Sequence, residues 1–529
     1  MNLIIKNSNR YKVLPAICLS LTLWIVSFDI AAQRMQAHNP IVYADVPDMS
    51  MIRVGKLYYM TSTTMHMAPG IPIMKSTDLV NWKIVGYVYD TLADVDELNL
   101  ENGKTAYGKA SWASCLRYHN GVYYVSTFAQ TTGKTYIYKT KNIETGPWQR
   151  TTFSPAYHDH SIFFENNGQA FMLYGSGKIK IVELKDDLTG VKEGAEKTLI
   201  ENASATAGAN IGLPSEGSQL FKYDDKYYLF NICWPKGGMR TVIIHRADHI
   251  EGPYEGEVAL QDRGIAQGGL IDTPDGRWFA YLFRDYGAVG RIPYLVPVEW
   301  KNDWPVLGEN GKVPDSLHLP VNFPLMPGLV TSDEFIRKKG EPALPLAWQW
   351  NHNPDNSGWS INERKGYLRL KTIRLDTSVL LARNMLTQRT IGPTCSARIS
   401  IDLSAMKDGD FAGLCLLQKN YGLIGVQVKD NERYIVMMNT GTGEPVEAGK
   451  LKLDNKKVYL RADCDFRDMK DIATFYYSTD GVKWKSFGTH LKMTYTLPHF
   501  MGYRFGLFNY ATKTKGGYVD IDWFRIKQE

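Results

Sequence analysis

Five stretches of this chain repeat one local pattern, and a repeat of that kind constrains the architecture more tightly than any single motif. A tight Gly, Asn or Asp turn is followed by an aromatic, β-favouring run at Arg53–Thr63, His119–Phe128, Asn166–Tyr174, Tyr223–Phe230 and Pro274–Leu282. Gly55, Gly121, Gly168, Asp225 and Gly276 mark the turns, and each turn with its strand is a hairpin signal. A more polar strand ending in a loop comes after each, at residues 73–82, 136–148, 179–191, 242–254 and 291–304. A period of about 45 to 65 residues predicts five four-stranded units, which is a five-bladed β-propeller. A β-sandwich with irregular loops is the competing arrangement, because alternation alone does not separate the two.

In a propeller the first strand of every blade lines the central axis. Nine residues before the turn markers stand Trp112, Asp159, Glu216 and Gln267, and in the first blade Asp48 lies seven before Gly55. Three carboxylates, one indole and one amide therefore come to one radial level from five blades. Carboxylates that face one another raise each other's pKa, and folds keep such arrangements mainly for chemistry or metal binding. A calcium ion at the axis is the alternative this pattern leaves open.

With these residues in hand, the chain resembles glycoside hydrolase family 43, the five-bladed β-xylosidases and α-L-arabinofuranosidases. Asn39-Pro-Ile-Val-Tyr-Ala-Asp-Val-Pro-Asp-Met-Ser50 is similar to the family's Pro-Asp-Pro-Ser box, with Met49 in place of the second Pro. Asp159-His-Ser-Ile-Phe-Phe-Glu-Asn-Asn-Gly168 follows its Asp-Pro-Ser motif, with His160 for Pro, and Ser215-Glu-Gly-Ser218 its Glu-Gly-Pro motif. Gly290-Arg291 and the Trp300–Trp304 segment also match. The resemblance implies Asp48 as general base, Glu216 as general acid and Asp159 as the carboxylate that orients the acid and tunes its pKa. Asp45 is a rival base three residues from Asp48, off the motif position. It also implies a substrate contact for Arg291 and an apolar pocket wall in Thr64–Gly70, where Met65 is the expected residue. Trp112 is placed to stack on the sugar. Calcium-dependent relatives carry His where this chain has Gln267, which argues against a metal at the axis.

The implied chemistry is inverting hydrolysis, in which one carboxylate activates water while a protonated one opposite protonates the leaving oxygen. No metal, nucleotide or covalent intermediate is required. A catalytically silent carbohydrate-binding propeller is the reading from another class, and the complete acid set argues against it.

Lys6, Arg10 and Lys12 precede an apolar run from Val13 to Ile30, and Ala31-Ala32 follow. Residues 1–32 read as a secretory signal peptide, which implies export, to the periplasm or beyond the cell, and no membrane attachment after cleavage. Removing them takes Lys+Arg from 61 to 58 and Asp+Glu from 55 to 54, a balance of +4 with no basic block, so nucleic acid is excluded as a partner. Of six Cys, Cys18 lies in the signal and the other five form no CxxC or Cys/His cluster, so neither a zinc site nor a disulfide scaffold is expected.

Beyond about residue 326 the five-fold pattern stops. Pro342, Pro345 and Pro354 surround a linker, and alternating strands such as Phe411–Leu417 and Ala473–Tyr477 run to the end, which predicts a second β domain. By resemblance it is the concanavalin-like (jelly-roll) β-sandwich of family members. The expected division is signal 1–32, propeller 33–325 and sandwich 326–529, an all-β chain. Asp333 and Asp522, near the ends of the sandwich, are candidates for a structural calcium. The preferred function is an exo-acting enzyme that removes terminal α-L-arabinofuranosyl residues from hemicellulose, either xyloglucan or arabinoxylan, with β-xylosidase or dual activity as the alternative.

Overall fold

A computed structural model of the chain describes residues 36–323, 325, 328–497 and 499–529. The presumed signal, and Met326 at the expected domain boundary, lie outside the described residues.

Five four-stranded antiparallel sheets follow one another in sequence, each a meander, the first interrupted between its second and third strands by Met67–Ala68. Their first strands are Ser50–Val54, Cys115–His119, Ser161–Phe164, Ile211–Tyr223 and Ala266–Asp272. Each touches the first strand of the next sheet, and that of the fifth sheet touches that of the first, so the ring closes. This is the five-bladed propeller, and the turn markers explain why it is legible. Gly55, Gly121, Gly168, Asp225 and Gly276 all have φ between 60° and 91°, the left-handed region that hairpin turns need and that Gly, Asn and Asp tolerate. Across three of these turns the strands pair directly, as Val54 with Leu57, His119 with Val122, and Tyr223 with Lys226.

A clasp holds the ring shut. Ala37–His38 pairs with Ser316–Leu317, and the Ile41 and Val46 amides donate to the Pro293 and Arg291 carbonyls of the fifth blade at 3.0 and 2.9 Å.

The C-terminal region forms two packed β-sheets, the concanavalin-like sandwich. In one, Lys457–Asp465 alternates strictly between buried and half-buried residues, as a sheet with one covered face does. In the other, Asp410–Leu417 is buried along its whole length. That sheet ends on a strand from the propeller: Met67 and Ala68 of the first blade pair with Asn351 and Trp350. The domains are further joined where Asp45, fully buried, accepts from the Arg291 amide (2.8 Å) and the Gly502 amide (2.9 Å). Burial pushes the Asp45 carboxyl up; its oxygens are committed to holding the domains together, which removes it as a rival base. Among the described residues no helix is long and apolar enough to cross a membrane.

One sequence expectation finds no support here and another fails. Asp333 takes Arg337 in a two-pronged pair (2.8 and 2.6 Å) and the Trp348 indole (3.0 Å), and Asp522 is paired with Lys457 at 2.9 Å. Both carboxylates are taken up by side-chain cations rather than left open to the calcium expected there. Met65 is buried at φ 51°, its amide and carbonyl bridged to Ser111. The pairing of Ala68 with Trp350 draws its segment under the sandwich, and Met65 joins the core rather than a pocket wall.

Candidate active site

The axial residues open into one cavity of about 530 Å³ at one mouth of the ring, lined by Asp48, Trp112, Asp159, Glu216, Gln267 and Arg291 among others. Backbone geometry aims them. Asp48 (φ 50°), Asp159 (φ 45°) and Gln267 (φ 59°) sit at the axial ends of three blades in the left-handed region, which is costly for side-chain-bearing residues and recurs at functional sites. Glu216 is turned inward differently. Its strand slips register between Leu213 and Glu216 and again between Glu216 and Gln219, and such bulges re-aim a side chain. Gly217, at φ 67°, leaves little room for a Cβ, which would stand 3.2 Å from the Gln267 side chain.

Two groupings emerge. Asp48 receives Arg291 Nη1 on one oxygen and Thr63 Oγ1 on the other, both at 2.7 Å. Arg291 Nε donates to Asp285 (3.0 Å), which also receives Arg240 Nε (2.7 Å). Burial works against ionising Asp285, but Arg291 and Arg240 hold it below the usual carboxylate range. On the other side, His158 Nε2 lies 3.3 Å from Glu216 Oε2 and 3.7 Å from Asp159 Oδ2. The three ligand atoms fall within 4.8 Å of one another, and Asp48 does not share that group.

These contacts set the protonation. Burial, reinforced by the charges of Glu216 and Asp48 against the opposing pull of His158, raises the Asp159 carboxyl to about 7. The hydrogen bond to Glu216, with the charge of Asp159, lifts His158 to about 9. His158, Asp159 and Glu216 have the donor types to hold a divalent cation.

Walls come from both domains. Trp112 stacks on Phe128 (6.1 Å between centroids) and meets Phe500 of the sandwich edge-on at 4.6 Å. Leu497, also from the sandwich, and Trp234, 41% exposed, complete an apolar rim, and Arg240 lies 5.4 Å over the Trp234 ring. Sequence reasoning missed His158, Thr63, Arg240, Asp285 and Phe500. Of these only His158, adjacent to Asp159, carried a local signal.

Residues 37–305 match the sequence model of glycosyl hydrolases family 43. The chain belongs to that family. Residues 332–527 match the beta xylosidase C-terminal concanavalin A-like domain. A beta-xylosidase of Formosa agariphila is 28% identical over 552 residues, covering 92% of this chain and 89% of that relative. The non-reducing end alpha-L-arabinofuranosidase BoGH43B of Bacteroides ovatus is 26% identical over 458 residues, 82% of each chain. Among solved structures, a bifunctional GH43-CE protein of Bacteroides eggerthii superposes with a TM-score of 0.93 at 65% identity. The superposition covers 94% of this chain but 64% of that one, so this chain spans less than two thirds of its length.

Proposed function

We propose that the chain is an exo-acting, inverting α-L-arabinofuranosidase acting on hemicellulose-derived oligosaccharides, with Asp48 as general base, Glu216 as general acid and Asp159 as its modulator. The observation that carries the reading is the division of the carboxyls: Asp48 held by Arg291 and Thr63, and Glu216 grouped with Asp159 and His158. Inverting hydrolysis needs such a division, a base for water on one face of the sugar and a proton donor on the other. In the proposed step Asp48 takes a proton from water as the water oxygen attacks the anomeric carbon. The bond to the leaving oxygen breaks, and Glu216 delivers its proton there. Asp159, raised to about 7, keeps a proton on the acid side near neutrality.

A cavity of about 530 Å³ partly walled by Leu497 and Phe500 supports action at a chain end, since it has room for a terminal sugar and part of its neighbour. β-Xylosidase is the second reading, favoured by the name of the Formosa relative. The basic-then-apolar start of the chain supports export, to the periplasm in the first instance.

The test is turnover of 4-nitrophenyl α-L-arabinofuranoside and β-xyloside by the chain from residue 33 and by its Glu216→Ala variant. Arabinoside turnover that the variant loses by about two orders of magnitude or more is expected. Xyloside turnover alone would replace the first reading by the second, and loss of less than about threefold would remove Glu216 as the acid.

A further inference from the structure

The ring has a second mouth. Five residues on from Asp48, Trp112, Asp159, Glu216 and Gln267 stand Arg53, Arg117, Phe164, Phe221 and Asp272, and all five line a separate cavity of about 440 Å³. At about 3.3 Å per strand residue the two sets of residues lie at most some 17 Å apart along their strands. All five blades contribute to the second cavity, as they do to the first, and its size is within the range of small-ligand sites.

Its charges do not cancel. Arg53, Arg117 and Lys222 line it against the single carboxylate of Asp272. Arg53 is paired with Asp272, with Nε 2.9 Å from one carboxylate oxygen, and Lys222 has Glu165 at 3.7 Å. Arg117 is different. Half-buried, it donates only to neutral oxygens, the Leu116 carbonyl (2.9 Å) and Gln219 Oε1 (2.8 Å), and among the described residues no carboxylate pairs with it. Withdrawing a guanidinium from water without a counter-charge is costly, and its planar fork matches a carboxylate. Beside it Tyr118 is 43% exposed, an aromatic face of the kind on which a sugar ring stacks, and the Trp278 ring also lines the cavity.

We propose that this mouth is a second, non-catalytic saccharide site that takes a glycan bearing a uronic acid, its carboxylate on Arg117 and a sugar face on Tyr118. The choice of a saccharide rests on the glycosidase reading, whereas the site itself does not. Such a site would hold acidic, decorated hemicellulose while the catalytic mouth works on another chain end.

The test is calorimetric titration of full-length Glu216→Ala protein with three probes: a xylo-oligosaccharide carrying one glucuronic acid side group, the same oligosaccharide without it, and inorganic phosphate. The acidic oligosaccharide is expected to bind, and Arg117→Gln in the same background to weaken it by about tenfold or more, while affinity for the neutral one changes less than about twofold. Tyr118→Ala weakens the acidic oligosaccharide but not phosphate. In the Glu216 enzyme both variants keep wild-type turnover of the nitrophenyl glycoside, which separates failure of this site from failure of the catalytic reading. Equal affinity for acidic and neutral oligosaccharides, indifference to Arg117→Gln, or phosphate binding as tightly as the acidic oligosaccharide would each overturn the proposal.

Discussion

Replacing Asp159 by Asn is expected to stabilise the protein while crippling it. In the fold the Asp159 carboxyl is raised to about 7, chiefly by burial and further by Glu216 and Asp48, whereas in the unfolded chain an Asp titrates near 3.8. Below the lower value both states hold the proton and the shift has no effect. As pH rises from there, the unfolded chain releases its proton and the fold does not, so the folded state loses stability until about pH 7, where the full difference is reached. Three pH units at 1.36 kcal/mol each give a penalty of about 4 kcal/mol at pH 8. Asn has no proton to lose, so it escapes the penalty but forfeits the tuning of Glu216. Urea unfolding of both proteins at pH 8 and pH 4.5 reads the effect: a gain of about 2–4 kcal/mol at pH 8, shrinking to under about 1 kcal/mol at pH 4.5, with turnover lowered by about tenfold or more. A gain of equal size at both pH values, or destabilisation at pH 8, would refute the argument, because then burial of the charge is not what Asp159 costs.

The domain interface makes the opposite prediction, loss of stability in acid. His66, His352 and His499 crowd around Tyr107, with centroids 4.5 Å (His66), 4.6 Å (His352) and 4.1 Å (His499) from its ring. Burial, then Lys419, presses His499 down to about 3, so between its ordinary 6.5 and that value the unfolded chain binds a proton that the fold refuses. At pH 5 this costs about 2 kcal/mol; His499→Phe should reduce the loss of stability between pH 8 and pH 5 by that amount in paired denaturation curves, and equal losses would remove His499 as a source of it. Phe500→Ala deletes the ring that meets Trp112 at 4.6 Å. It is expected to raise KM by about 3- to 10-fold with kcat little changed, as for a contact made equally in ground and transition states; a fall in kcat alone in steady-state kinetics would contradict this.

What could be read in advance was whatever is local. The blade turns announce themselves because positive φ selects Gly, Asn and Asp at the turn itself, and register from those turns brought Asp48, Trp112, Asp159, Glu216 and Gln267 to one mouth. Aromatic residues also serve the blades themselves: Tyr223 stacks on Trp300 at 4.1 Å, and Trp278 meets the same indole edge-on. Nothing in their local sequence separates that use from ligand stacking. The cation beside Asp333 is partly visible in the sequence, since Arg337 stands four residues from it. Asp522 is answered by Lys457, 65 residues away, which no spacing rule reveals.

The misplacement of Met65 and the omission of Phe500 have one origin. The strand Met67–Ala68 is two residues long and pairs with Trp350 and Asn351, some 280 positions on; so short an element carries no periodicity, and its partner is set by the docking of one domain on another. That docking carries Met65 into the core, brings Phe500 over Trp112 and closes three histidines into the interface. Each blade supplies its axial residue by itself, but the wall around them is a property of two domains together, and only the axial residues have a local signature. The same logic explains why each axial residue of the catalytic mouth has a partner five positions on at the second mouth, with Arg117 answering Trp112. The geometry that converges five strands at one mouth must converge them again at the other, whatever residues those positions carry.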